Sequence, residues 1–172
     1  DGSELLVMTI SKNLSGTYQS ACVAAEQYTG KIRVVDSSLA TTAFAMMVRI
    51  ACRMRDEGHR VDEIADYLEK IRERLGIICC MNTLEYLHKG GRLSATVTIL
   101  GGMLNIKPVV LIKDGHISIL HKARGIKAAA RWMVDYVAET GFDASLPIGF
   151  IHSDNPEGAV EVRSMLAEKA TW

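Results

Sequence analysis

No stretch of this chain is long and apolar enough to span a bilayer. The longest run without a charged residue is Leu93 to Ile106, 14 residues, and a spanning helix needs about 20. The opening shows no basic segment followed by an apolar stretch and a cleavage site, so no secretory leader is expected. Asp1-Gly2-Ser3 leads straight into apolar residues, which reads as a chain entered partway. Cysteine is sparse. Cys22, Cys52, Cys79 and Cys80 form no C-x-x-C pair and sit among apolar neighbours, so structural thiols in a reducing compartment are expected, and no metal. Charge of one sign is also missing overall, with 20 Lys+Arg against 20 Asp+Glu. Aromatic residues make up only 6%. No aromatic residues interleave with the bases, and no helix-turn-helix or RNA-binding signature is present, which argues against nucleic acid.

What is present is ordinary globular composition, 48% apolar, with a marked internal split of charge. From Lys89 to Arg131 there are eight bases and one acid, Asp114, whereas Trp132 to Trp172 holds seven acids and two bases. A basic face that meets an acidic partner or ligand follows from that asymmetry.

Strand, turn and helix alternate at the spacing of a parallel α/β sheet. Strands are expected at Glu4–Ile10 and Lys31–Val35, and helices at Thr17–Tyr28, with Ala21, Ala24 and Ala25 close-packed, and at about Thr42–Arg55. Val61, Ile64, Ala65, Leu68, Ile71 and Leu75 repeat at helical spacing, which predicts a helix over Val61–Leu75 with a solvated charged face. Gly76 reads as its C-cap. A boundary near Leu75/Gly76 divides the chain into 1–75 and 76–172. In the second part, strands are expected at Ile77–Met81, Ile106–Ile112, His116–Leu120 and Pro147–His152. Helices are expected at Thr83–His88, Ser94–Leu104, Ile126–Thr140 and Pro156–Lys169. Asp114-Gly115 reads as a two-residue hairpin turn.

Two loops have residues suited to chemistry. Ser11–Thr17 follows a strand and precedes a helix, at the sheet end where α/β folds bind ligands. Unpaired amides at a helix start carry partial positive charge, and hydroxyls beside them complete an anion pocket. Ser15 and Thr17 stand where those hydroxyls belong, and Gly16 lets a ligand approach the backbone. The plainer alternative is that Ser15 only caps the helix. The loop is neither a nucleophile elbow nor a P-loop. Lys89-Gly90-Gly91-Arg92 is a tight turn flanked by cations, suited to an anion, a partner, or plain solvent exposure. The five histidines are scattered; His152 ends an expected strand, and a structural role is the simpler reading.

The order of the segments is more specific. Ile10-Ser11-x-x-Leu14-Ser15-Gly16-Thr17-Tyr18-Gln19-Ser20-Ala21 is followed by Val35-Asp36-Ser37. Then come Leu84-x-Tyr86-Leu87-x-Lys89-Gly90-Gly91-Arg92-Leu93-Ser94, Leu104-Asn105-Ile106-Lys107-Pro108-Val109, Asp114-Gly115-x-Ile117 and Lys122-x-Arg124. This series resembles the DegV family over essentially the whole chain. The resemblance implies a two-domain α/β architecture: a parallel α/β first domain, partial here, and a mixed α/β second domain with an apolar lipid tunnel. It implies a cytoplasmic, non-enzymatic carrier of a long-chain fatty acid, held between domains and presented to a partner fatty-acid kinase. Neither cofactor, nucleic acid nor stable membrane insertion is implied. Ser15 matches the family serine that binds the fatty-acid carboxylate; Ser11, Gly16 and Thr17 accompany it. Arg92 and Arg124 are the expected contacts to head group or kinase. The chain departs from the pattern at Lys12, where family members often have a second serine. It also lacks the family's opening and closing segments, so it reads as an internal part of such a protein. Two alternatives stand beside this reading. One is an enzyme of phosphorylated small molecules using the Ser15 loop and Arg92, for which no general base is evident. The other is an interaction module using the basic face.

Overall fold

The computed structural model describes residues 3–93 and 105–170. It divides into two units, Asp1–Ile77 with Ile112–His116, and Ile78–Leu111 with Ile117–Trp172. The first unit also takes in the distant 112–116 segment.

In the first unit, β1 (Leu5–Thr9) and β2 (Ile32–Asp36) form a parallel pair, in register from Leu5 opposite Ile32 to Thr9 opposite Asp36. Parallel neighbours need a crossover, and α1 (Thr17–Ala25) supplies it. α2 (Thr41–Asp56) and α3 (Val61–Ile71) follow and pack on each other, and α3 covers both strands. The α3 stripe predicted from spacing is buried: Val61, Ile64, Ala65, Leu68 and Ile71. They share a core with Val35, Leu39, Ala43, Met47 and Ile50.

The charged face of α3 is not merely solvated. Asp62 pairs with Lys31 (2.5 Å) and Arg33 (3.1 Å), and Asp66 pairs with Arg33 (3.2 Å). Arg33 on β2 and Lys31 just before it therefore answer the acids of α3. Gly76 is not a helix cap. The α-helix ends at Ile71 and tightens into a 3-10 turn, Arg72–Arg74, closed by an extended Leu75. Arg72 turns back there to donate from Nη1 to the carbonyl of Asp36, 2.9 Å away. α1 also differs from expectation. None of its residues is buried, Ala24 is exposed, and the helix stops at Ala25. Beyond it the amides of Gln27 and Tyr28 bond three residues back, to Ala24 and Ala25, as fraying helix ends do.

The second unit is built on β3 (Ile77–Cys80), β4 (Ile106–Lys113) and β5 (His116–Arg124), in that sheet order. The short α4 (Glu85–Lys89) follows β3, and α5 (Ile126–Thr140) and α6 (Pro156–Lys169) pack together after β5. Val109, Ala123 and Ala129 form a core joined by Ile78, Cys80, Trp132 and Met133. On the same face, the His121 and Trp132 rings stack 4.6 Å apart and Trp132 stacks on Tyr136 at 5.2 Å. Asp114 (φ 51°) and Gly115 (φ 77°) both take left-handed backbone, as the predicted β4–β5 hairpin turn requires. Pro147–His152 is not a strand: no ladder pairs it. An apolar run favours extended backbone, but a strand also needs a neighbour, and Pro147 donates no hydrogen bond. The helix expected over Ser94–Leu104 lies outside the described residues.

The first unit's core should be as sensitive as its burial implies. Leu68→Ala, at a fully buried position, is expected to cost about 2–5 kcal/mol in urea unfolding. Leu5→Ala, at a position half open to solvent, is expected to change stability by less than about 0.5 kcal/mol.

Candidate functional site

At the carboxyl end of β1 the chain turns through Ser11–Gly16 into α1, and at the carboxyl end of β2 it turns through Ser37–Ala40 into α2. Ser11 organises the first turn. It is fully buried; its amide donates to Leu39 O (2.8 Å), and its carbonyl accepts from the amides of Leu14 (3.0 Å) and Ser15 (3.1 Å). Its hydroxyl accepts from the Asn13 amide (3.1 Å) and donates to Gly115 O (3.4 Å). The Lys12 amide donates to Asp36 Oδ1 (3.1 Å). Every backbone N–H from Ser11 to Ser15 thus has an acceptor within the protein.

That accounting narrows the anion chemistry. The donors suited to a ligand are the hydroxyls at the end of the loop and the first-turn amides of α1, which no helix satisfies internally. Ser15 is half-buried and Gly16 and Thr17 are exposed. Ser15 Oγ and Thr17 Oγ1 lie 2.7 Å apart, sharing one hydrogen bond, and the Thr17 amide donates to Ser15 Oγ at 3.3 Å. Ser15 therefore does support the helix start as a cap would, while its hydroxyl stays at the surface. Gly16 has φ −70°, and a Cβ added to it would meet nothing within 4 Å. Neither backbone strain nor internal crowding asks for glycine there. No acid stands in the first turn of α1 to neutralise its positive end. Thr9, the last residue of β1, is buried, and its Oγ1 lacks a hydrogen-bond partner.

The structure brings Ser11, Ser15, Gly16 and Thr17 together in the first unit, with Ser11 beneath and the other three at the surface. Arg92 and Arg124 belong to the second unit. Arg92 follows α4 on a turn in which Gly91 has φ 71°. Its amide donates to Leu87 O (2.9 Å) and its guanidinium to Gly90 O. Arg124 ends β5, exposed, just before Gly125. Of the other bases between Lys89 and Arg131, Lys107 is half-buried and donates to Asn82 Oδ1 (2.8 Å), and Lys89 pairs with Glu85 at 2.6 Å. Lys113, Lys122, Lys127 and Arg131 are exposed. Sequence reasoning missed Asp36 and Gly115 as parts of the loop's framework. Both contacts join residues far apart in the chain, and only the Asp-Ser pair ending β2 hinted at the first.

The four thiols are free and half-buried; burial pushes those of Cys79 and Cys80 up, away from the reactive thiolate. His152 accepts from the Asn155 amide (3.3 Å), a structural contact at the start of α6. Among the described residues no group of His, Cys, Asp or Glu has the makings of a metal site. No helix among them is long and apolar enough to cross a membrane.

The described residues thus form a parallel α/β unit with a hydroxyl-bearing loop at its strand ends and a mixed α/β unit. The chain belongs to the DegV family: the family model described as "Uncharacterised protein, DegV family" matches residues 1–171. A DegV domain-containing protein of Caldanaerobacter subterraneus is 38% identical over 164 residues, 94% of this chain and 59% of that protein. A fatty acid-binding protein of Thermotoga maritima is 33% identical, over 96% of this chain and 59% of its own length. The crystal structure of a DegV family protein from Ruminococcus gnavus with vaccenic acid superposes with a TM-score of 0.80 at 29% identity. It covers 98% of this chain and 62% of that one. The chain thus spans about three fifths of the length of these relatives.

The hairpin turn beneath the loop gives a direct test of this framework. A Cβ on Gly115 would come within 2.6 Å of Ser11 Oγ and 2.7 Å of Asn13 Nδ2. Gly115→Ala is therefore expected to cost roughly 1–3 kcal/mol from its left-handed backbone and more from that clash. Gly30→Ala, which meets nothing within 4 Å, serves as the control and should leave the melting curve nearly unchanged.

Proposed function

We propose that this chain carries the carboxylate-binding loop of a long-chain fatty-acid carrier that presents the head group to a partner fatty-acid kinase. The observation that carries the reading is the Ser15–Thr17 hydroxyl pair at the unneutralised start of α1, with open space beside Gly16. A carboxylate is a planar acceptor of two or more donors, and hydrogen bonds to a charged group are the stronger kind. Ser15 donates to the carboxylate, Thr17 supports it, and the first-turn amides of α1 supply the remaining field. Ser11 acts from below as the frame of the loop. The fatty acid-binding relative from Thermotoga maritima and the vaccenic acid bound to the relative from Ruminococcus gnavus support the choice of ligand.

The acyl chain supplies most of the affinity, since each buried CH₂ contributes about 0.8 kcal/mol. The carboxylate contacts fix orientation and leave the reacting oxygen at the protein surface. The bases of the Lys89–Arg131 segment, with Arg92 and Arg124 foremost, suit an acidic face on the kinase. Such charges raise the rate of encounter more than they tighten the final complex. The protein itself performs no chemistry in this reading.

Two measurements check it. In the full-length protein, Ser15→Ala should weaken fatty-acid binding by roughly 1.5–3 kcal/mol in a fluorescence displacement titration, with stability lowered by no more than about 1 kcal/mol. Unchanged affinity with that same loss of stability would leave Ser15 as a helix cap only. Arg92→Glu with Arg124→Glu should lower kinase-coupled phosphorylation several-fold at low salt while lipid affinity holds. Equal loss of both would set aside the docking role.

A further inference from the structure

We propose that Asp36 is a positioning residue for the Ser15 loop: its buried carboxylate clamps the two loops at the strand ends and so holds Ser15 ready for the ligand. The proposal rests on the reading of Ser15 as the carboxylate contact. Asp36 is the last residue of β2 and is only 5% exposed. Its Oδ1 accepts from the amide of Lys12 (3.1 Å), in the loop after β1, and from the amide of Ser38 (3.0 Å), in the loop after β2. Its Oδ2 accepts from Ser38 Oγ (3.3 Å). Its backbone carbonyl accepts from Arg72 Nη1 (2.9 Å), which ties the strand end to α3.

The geometry explains three features that local sequence does not. Ser38 has φ 56°, an unfavourable backbone for serine that two bonds to one carboxylate offset. Lys12 keeps its side chain in solvent while its amide is tied inward. The amides of Leu14 and Ser15 then return to Ser11 O, so the position of Ser15 follows from that of the Ser11–Lys12 backbone. Ser38 passes the same restraint on, since its carbonyl accepts from the Gly115 amide at 2.9 Å. A carboxylate is the right group for this task because each of its oxygens accepts more than one hydrogen bond and bonds made to a charge are strong. Asparagine keeps the pattern: its Oδ1 accepts from both amides, and its Nδ2 donates to Ser38 Oγ.

The test is a double-mutant cycle in the full-length protein, read by vaccenic acid affinity and by melting temperature. Asp36→Ala is expected to weaken binding at least tenfold, and Asp36→Asn to stay within threefold of the parent. In the Ser15→Ala background, Asp36→Ala should have less than a twofold further effect, because a residue that acts through Ser15 has nothing left to position. Ser38→Gly, which relieves the left-handed backbone and removes one bond to Asp36, should weaken binding two- to fivefold with the same dependence on Ser15. It carries the test alone should Asp36→Ala fail to fold. Wild-type affinity in Asp36→Ala, or in Ser38→Gly when that variant stands in, overturns the proposal; so does a loss that persists undiminished in the Ser15→Ala background. Wild-type affinity in Ser15→Ala itself overturns the reading of Ser15, and the positioning role with it.

Discussion

The loops at the carboxyl ends of β1 and β2 are held by buried side chains. Ser11 and Asp36, nearly sealed from solvent, accept from the amides of Lys12, Asn13, Leu14, Ser15 and Ser38. An unpaired buried polar group costs on the order of 1–3 kcal/mol, so leaving five consecutive loop amides without partners would erase most of a domain's net stability. Every amide from Ser11 to Ser15 instead has an acceptor within the protein. The hydroxyls of Ser15 and Thr17 lie at the loop's surface end, at the start of α1.

The same economy shapes the rest of the unit. α3 buries one apolar stripe against the strands and turns its acids towards Arg33 on β2 and Lys31 just before it. These ion pairs are only half-buried, so each contributes little to stability. Arg72 meets the carbonyl of Asp36. The β4–β5 turn is the remaining brace. Its left-handed residues bring Gly115 under Ser11 so closely that only a residue without Cβ fits. The Ser11–Gly16 loop is thereby supported from three directions: by β2 through Asp36, by the loop after β2 through Leu39, and by the hairpin through Gly115.

Much of this was legible in the sequence, and the reasons for the rest are physical. The α3 stripe, the Asp114-Gly115 turn, and the limits of α5 and α6 all rest on local signals: helical spacing, a dipeptide with the right backbone, a proline at a helix start. Pro147–His152 looked like a strand because its residues favour extended backbone, yet pairing depends on a neighbour that local sequence cannot supply. Gly76 looked like a cap because glycine usually is one; Arg72, drawn to a carbonyl 36 residues away, ends the α-helix earlier. The surface members of the candidate loop, Ser15, Gly16 and Thr17, were found by their place between strand and helix. Asp36 was visible only as part of the Asp-Ser pair ending β2, because it serves the loop across a gap of 24 residues. Ser11 was visible, but its bond to a residue 104 positions away, which makes it framework, was not.

The central claim is that the start of α1, through Ser15, receives the carboxylate of a fatty acid. A crystal structure of the full-length protein with a bound long-chain fatty acid tests it most directly. The account predicts a carboxylate oxygen about 2.5–3.0 Å from Ser15 Oγ, with the loop amides from Ser11 to Ser15 still bonded within the protein. A carboxylate held elsewhere while Ser15 bonds only to Thr17, or a phosphate compound seated at the loop in place of a lipid, would contradict it.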